Sequence, residues 1–306
     1  GRRAHWKEHP LTTAYLFPGQ GSQVVSMGRI SSSRSRRAAD LFDAASAALG
    51  RDMRRLCWES SLEELTRTEN LQPALTLASL ADWVADERFE RKKGNAYSGH
   101  SIGALGAAVV AGAIDPIDGI VLASRRGALM ASAPGGGAMV AVVTPRSQTD
   151  EQRHYAESLA RTYDLDVAAY NGPTQVVLAG SAAHVDRLVG DHRGKCRRLN
   201  VSNAFHSRFM RSVKDAWAKS LERTPVSAGP GYVGSCTGEP ARNAEDIRAD
   251  LREALTLPVQ WRRVMGSTRH CENLEIYGPS RVIARLARPY SEGRTIVSHD
   301  RSGGGE

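Results

Sequence analysis

The stretch 97-YSGHSIGALGAA-108 constrains the fold more than any other part of this 306-residue chain. It reads as the end of a short strand at 96–98, a Gly-x-Ser-x-Gly turn, and a helix of small residues through 105–113. A serine on so sharp a strand-to-helix turn needs glycine two residues to either side, here Gly99 and Gly103, so that strand and helix can approach closely. The helix start behind the serine offers backbone N–H groups and the positive end of a helix dipole, both suited to an oxyanion. Two roles for Ser101 fit this local pattern: a nucleophile, or a hydroxyl that caps the helix after a tight turn.

A serine hydroxyl is a poor nucleophile until a base takes its proton. Of the nine histidines, His100 adjoins Ser101, but neighbouring side chains at such a turn diverge. His5 and His9 lie in the N-terminal segment, and His154, His184 and His192 occupy expected surface positions. His206 stands out because it follows the short apolar segment 203-NAF-205 and precedes SRFM. Spacing alone leaves the choice open.

Hydrophobic periodicity organises the rest. A strand at 14–17 runs into the loop 18-PGQGSQ-23, and helices are expected at 37–50, 61–66 and 72–87, the last with Pro73 in its first turn. Pro116 opens the next helix, and 134-PGGG-137 breaks it. Then come a strand at 138–143, a helix near 148–162, strands at 165–170 and 175–180, a helix near 182–190 and a strand at 196–201. That order is βαββαβ, the pattern of a ferredoxin-like unit. The fold class is therefore α/β: a large α/β-hydrolase-like subdomain with a parallel sheet, built from 13–137 and 202–298, and an inserted ferredoxin-like subdomain at 138–201. Residues 1–12 and 299–306 read as a flexible leader and tail. Beyond 201 the pattern gives an amphipathic segment at 207–221, a loop-rich stretch at 224–240, helices near 244–255 and 259–270, and a strand and turn at 274–280.

No run of 18 apolar residues occurs, so no membrane span is expected, and GRRAHWKEHP lacks the apolar core of a signal peptide. Cys57, Cys196, Cys236 and Cys271 form no CxxC pair and no metal-ligand spacing, which fits reduced thiols in a cytoplasmic protein without a metal. The net charge of +8 comes in short basic bursts, among them Arg91, Lys92 and Lys93. With no interleaved aromatic residues they do not suggest nucleic acid. They suit a solvated basic surface, an acidic protein partner or a phosphate-bearing substrate.

The chain resembles the acyltransferase family that loads malonyl groups from coenzyme A onto acyl carrier protein in fatty-acid and polyketide synthesis. The matching segments run in order from about residue 14 to 290: FPGQGSQ at 17–23, RTENLQPAL at 67–75, GHSIG at 99–103, SRRGALM at 124–130 and GAMVAV at 137–142. NGPTQVVLAG at 171–180, NAFHSRFM at 203–210, TG at 237–238, PVQW at 258–261 and YGPSRV at 277–282 complete the series. Any one segment is weak, whereas ten in order are specific.

The resemblance implies that Ser101 is the nucleophile and His206 its base, with the backbone carbonyl of Leu257 orienting the histidine. It places the oxyanion hole at the backbone N–H groups of Gln20 and Ile102, and it makes Arg126 the guanidinium that holds the malonyl carboxylate, with Arg125 its neighbouring rival. Asn171 and Gln175 match polar positions lining the cleft between subdomains. Phe205, in a segment close to the HAFH of malonyl-selective polyketide acyltransferases, would crowd an α-methyl group, although Asn203 stands where that motif has His. Ala104 departs from the family's usual GHSxGE. The implied reaction is a ping-pong transfer through an acyl-serine, from malonyl-CoA to the phosphopantetheine thiol of an acidic acyl carrier protein, without metal or redox cofactor. A monomer is expected, and the short segments outside the match favour a discrete protein. Three rivals stand beside this reading: the same fold acting on another acyl group or hydrolysing acyl thioesters, a non-catalytic carrier-protein docking module, and a generic α/β-hydrolase esterase.

Overall fold

The computed structural model describes residues 12–88, 96–146 and 149–300. The first part of the chain forms β1 (Thr13–Phe17), α1 (Arg29–Arg34), α2 (Arg36–Leu49), α3 (Met53–Trp58), α4 (Leu62–Thr66), α5 (Thr68–Val84), β2 (Ala96–Gly99), α6 (Gly103–Val110) and α7 (Pro116–Ser132). The middle forms β3 (Gly137–Val143), α8 (Thr149–Tyr163), β4 (Asp166–Gly172), β5 (Gln175–Ser181), α9 (Ala182–Asp191) and β6 (Cys196–Arg198). The last part forms α10 (Arg211–Glu222), α11 (Ala244–Glu253), α12 (Trp261–Ser267), β7 (Asn273–Tyr277), α13 (Arg281–Ala287) and β8 (Thr295–His299).

Two sheets result. The larger has the order β2-β1-β7-β8 with every pairing parallel. Strand β1, TAYLF, is buried at every position, as a parallel strand covered on both faces must be. The smaller sheet has the order β4-β5-β3-β6 and is antiparallel throughout. One face of this small sheet contributes Met139, Ala169 and Val177 to the main core. Its other face closes a second core with Leu188 of α9 and Ala156 of α8. The two units also meet through backbone: Tyr170 N–H donates to Val259 O at 2.9 Å, and Val259 N–H to Ala168 O at 2.9 Å. The segment just after Leu257 is thereby fixed to β4.

Several expectations shift in detail. Helix α5 begins at Thr68, so Pro73 lies inside it rather than in the first turn. Burial decides this: Thr68 and Asn70 are buried ahead of the proline, and Asn70 Nδ2 anchors to Glu64 O at 2.8 Å. Strand β6 stops at Arg198 because only 196–198 pair with β3. Strand β8 and helix α13 were not legible as periodic segments. Leader and tail boundaries also move by a residue. Thr12 N–H bonds Glu272, and His299 is the last residue of β8, stacked on Tyr277 with ring centroids 4.3 Å apart. Residues 1–11 and 301–306 of the expected leader and tail, and the basic burst at 91–93, lie outside the described residues. Among the described residues no helix is long and apolar enough to cross a membrane.

Candidate active site

The turn after β2 carries Ser101 at φ 55°, in the left-handed region that non-glycine residues rarely enter. Close approach enforces the two flanking glycines. A Cβ on Gly99 would lie 2.0 Å from Gly103 C, and one on Gly103 would lie 2.3 Å from Phe17 O. The loop after β1 abuts the same turn, since a Cβ on Gly19 would sit 2.5 Å from His100 O. Gln20 and Ile102 are thus brought to either side of the serine's turn. Among the described residues neither of their backbone N–H groups has an acceptor.

His206 comes from the segment before α10 and is only 5% exposed. Its Nδ1 lies 3.1 Å from Leu257 O, so Nδ1 carries the proton and donates it to that carbonyl. This leaves Nε2, 2.7 Å from Ser101 Oγ, to accept the serine proton. Burial, with Arg126 and His100 nearby, pushes the His206 pKa down to about 3 against the weaker opposing bond to Leu257. The imidazole is neutral at physiological pH, the state in which Nε2 can accept a hydrogen bond.

Arg126 is 2% exposed on α7, while Arg125 beside it is exposed. Its Nη1 donates to Gln72 Oε1 at 2.8 Å. Its Nη2 lies 3.4 Å from both Ser101 Oγ and Ala254 O. Burial lowers its pKa to about 10, so it stays cationic. Among the described residues no carboxylate pairs with it. A buried cation without a counter-ion is costly, and this one faces the Ser101 hydroxyl.

Gln72 belongs to this site and was not singled out from the sequence. The available signal was a lone amide in the apolar run of α5: Gln72 is buried and also donates to Thr68 Oγ1 at 2.8 Å. Asn171 and Gln175 reach the site indirectly. Asn171 Oδ1 accepts from His100 Nε2 at 2.8 Å, and Asn171 Nδ2 donates to Gln175 Oε1 at 3.1 Å. His100 thus turns toward the small sheet. Phe205 is buried in the main core, and Asn203 holds the α7–β3 connection by donating to Pro134 O at 3.0 Å. Ala104 is buried in α6.

The described residues offer one candidate metal cluster, Asp86, Glu275 and His299. Arg88 Nη2 already lies 3.0 Å from Asp86 Oδ2 and 2.9 Å from Glu275 Oε2, so a cation is in place. The four cysteines are all free thiols.

The Acyl transferase domain family matches residues 14–273. The chain belongs to that family. Among curated acyltransferase relatives, it is 35% identical over 255 residues to the polyketide biosynthesis protein ThaF of Burkholderia thailandensis, covering 81% of this chain and 21% of that protein. It is 32% identical over 257 residues to a malonyl CoA-acyl carrier protein transacylase of Bacillus subtilis, covering 82% of this chain and 64% of the relative. The chain therefore spans only part of these relatives' length. Among solved structures, that of a type II polyketide synthase acyl-carrier protein in complex with its malonyl-transacylase superposes with a TM-score of 0.84 at 29% identity, covering 94% of this chain and 95% of that one. This acyltransferase is accordingly an α/β protein with a parallel sheet and a small antiparallel sheet, as its structural neighbours are.

Proposed function

We propose that this acyltransferase moves a malonyl group from coenzyme A to the phosphopantetheine thiol of an acyl carrier protein. The observation that carries the proposal is Arg126, a buried guanidinium with no carboxylate partner among the described residues, 3.4 Å from the Ser101 hydroxyl. A planar fork of donors matches a carboxylate in two parallel bonds, and a malonyl group brings that carboxylate beside the reacting thioester. An acetyl group would leave the cation as costly as before.

The steps follow from the dyad. Ser101 Oγ attacks the thioester carbonyl while His206 Nε2 takes its proton, and the Leu257 carbonyl steadies the imidazolium through Nδ1–H. The backbone N–H groups of Gln20 and Ile102 receive the oxyanion. Collapse expels the coenzyme A thiolate, which His206 protonates, and leaves the malonyl ester on Ser101. The carrier's pantetheine thiol then gives its proton to His206 and attacks the ester; the proton returns to Ser101 Oγ as the malonyl thioester departs. Asn171 and Gln175 keep His100 and the small sheet in register beside this turn, and Phe205 narrows the acyl site. The strand order of the small sheet supports reading it as a ferredoxin-like subdomain, and the parallel sheet with a serine on the sharp β2–α6 turn supports reading the larger unit as α/β-hydrolase-like. An acidic carrier suits the +8 charge.

Incubation with malonyl-CoA, followed by intact-protein mass spectrometry, is expected to show one malonyl ester on the wild-type chain and none on Ser101→Ala. Adding a holo-carrier protein should discharge it. Carrier loading that persists in Ser101→Ala would instead make the chain a docking module.

A further inference from the structure

Asp250, on α11, is a buried carboxylate that the transfer chemistry does not use. It is 2% exposed, and among the described residues no Lys, Arg or His forms an ion pair with it. Its oxygens are filled by neutral donors. Oδ1 accepts from the backbone N–H groups of Cys236 at 2.8 Å and Thr237 at 3.2 Å. Oδ2 accepts from Ser235 N–H at 2.9 Å and the Tyr232 hydroxyl at 2.9 Å. The fit leaves no room for a side chain at Gly234, where a Cβ would lie 2.5 Å from Asp250 Oδ1. Burial raises the carboxyl's pKa and these hydrogen bonds oppose the rise.

The loop held in this way leads to the nucleophile. Residues 231–233 run alongside β2, with Tyr97 N–H donating to Gly231 O and Val233 N–H to Tyr97 O, each at 2.8 Å. Ser235 is the junction. Its Oγ accepts the Ser101 backbone N–H at 3.2 Å, and its carbonyl accepts Gln260 N–H at 2.7 Å. Gln260 follows shortly after Leu257, whose carbonyl orients His206. One carboxylate therefore fixes a residue that bonds the strained Ser101 directly, at φ 55°, and that ties down Gln260, three residues after the carbonyl that orients His206.

We propose that Asp250 is a positioning residue: through Ser235 it holds Ser101 in its left-handed conformation and keeps the nucleophile in register with His206. Four donors converging on one desolvated carboxylate make the loop rigid, because any one released would be left buried without an acceptor. Asn at this position keeps the shape but replaces one oxygen by an NH2 group, so at least one loop N–H then faces a donor. The proposal takes Ser101 as the nucleophile and makes no demand on which acyl group it carries.

The test uses a fluorophosphonate, which needs no Arg126 contact: Ser101 Oγ bonds phosphorus, fluoride leaves, and His206 takes the proton. Asp250→Asn and Ser235→Ala are each expected to label about tenfold or more slowly, while still reaching one label per folded chain, so the loss is of rate and not of active protein. The double variant should be no slower than the slower single one, within about twofold, because both act through one link. With malonyl-CoA the loss should fall on kcat and leave KM unchanged. Labelling of either single variant at the wild-type rate, or fully multiplicative losses in the double variant, would overturn the proposal. If Asp250→Asn does not fold, Ser235→Ala decides the matter alone. A wild-type chain that takes the label but no malonyl ester would defeat the malonyl assignment and leave this comparison standing.

Discussion

Replacing Arg126 by Met removes the guanidinium and keeps most of its volume. In the free protein, burial lowers the arginine's pKa from 12.5 to about 10, which corresponds to a desolvation cost on the order of 3 kcal/mol. Removing the charge relieves that cost but leaves Gln72 Oε1, now 2.8 Å from Nη1, without its donor, at about 1–3 kcal/mol. The two terms nearly cancel, so the melting temperature should change little. Activity behaves differently. Truncating one partner of a buried, hydrogen-bonded charge pair costs about 2–5 kcal/mol, which is roughly thirtyfold to several-thousandfold in kcat/KM for malonyl-CoA. Acetyl-CoA has no carboxylate to lose, and its rate should change by less than about tenfold. The assay is quench-flow acylation of Ser101 with each thioester in turn, read by mass spectrometry. Equal losses for malonyl and acetyl, or an unchanged malonyl rate, would refute the role given to Arg126.

Two further outcomes follow from the geometry. The folded pKa of His206 is depressed to about 3, below its unfolded value near 6.5, so the unfolded chain binds the extra proton first. The resulting stability loss should begin as pH falls below about 6.5 and grow toward about 3, with no contribution above that window. Labelling of Ser101 should correspondingly show no acid limb near pH 6.5, and a midpoint there would contradict a buried neutral base. Gly103→Ala sets a Cβ 2.3 Å from a backbone oxygen, Phe17 O. It should destabilise by roughly 1–3 kcal/mol or more and abolish labelling, so a variant that melts and labels like the wild type would sink the account of the turn.

Features with a local cause were legible in the sequence. The Ser101 turn announces itself because Gly99 is demanded by the backbone of Gly103 only four residues away, although Gly103 itself is demanded by Phe17 O on β1. Asp115 caps α7 by accepting from Ile117 N–H at 2.8 Å, where Pro116 had marked the helix start. Pairings across long separations were not legible. Pro73 misled because helix propensity near a proline says nothing about the burial that starts α5 at Thr68. His206 could not be chosen by spacing, since the carbonyl that fixes its tautomer lies 51 residues away. Asp250 gave no signal at all. An acid on an amphipathic helix reads as solvated until the loop at 232–237 is seen to fold over it.

The account rests on Ser101 carrying a diacid selected by Arg126. The most direct measurement is peptide-level mass spectrometry of the wild-type chain after brief exposure to equal concentrations of malonyl-CoA and acetyl-CoA. A malonyl ester on Ser101 in large excess over acetyl is the predicted result. An equal mixture, or a modified residue other than Ser101, would contradict it.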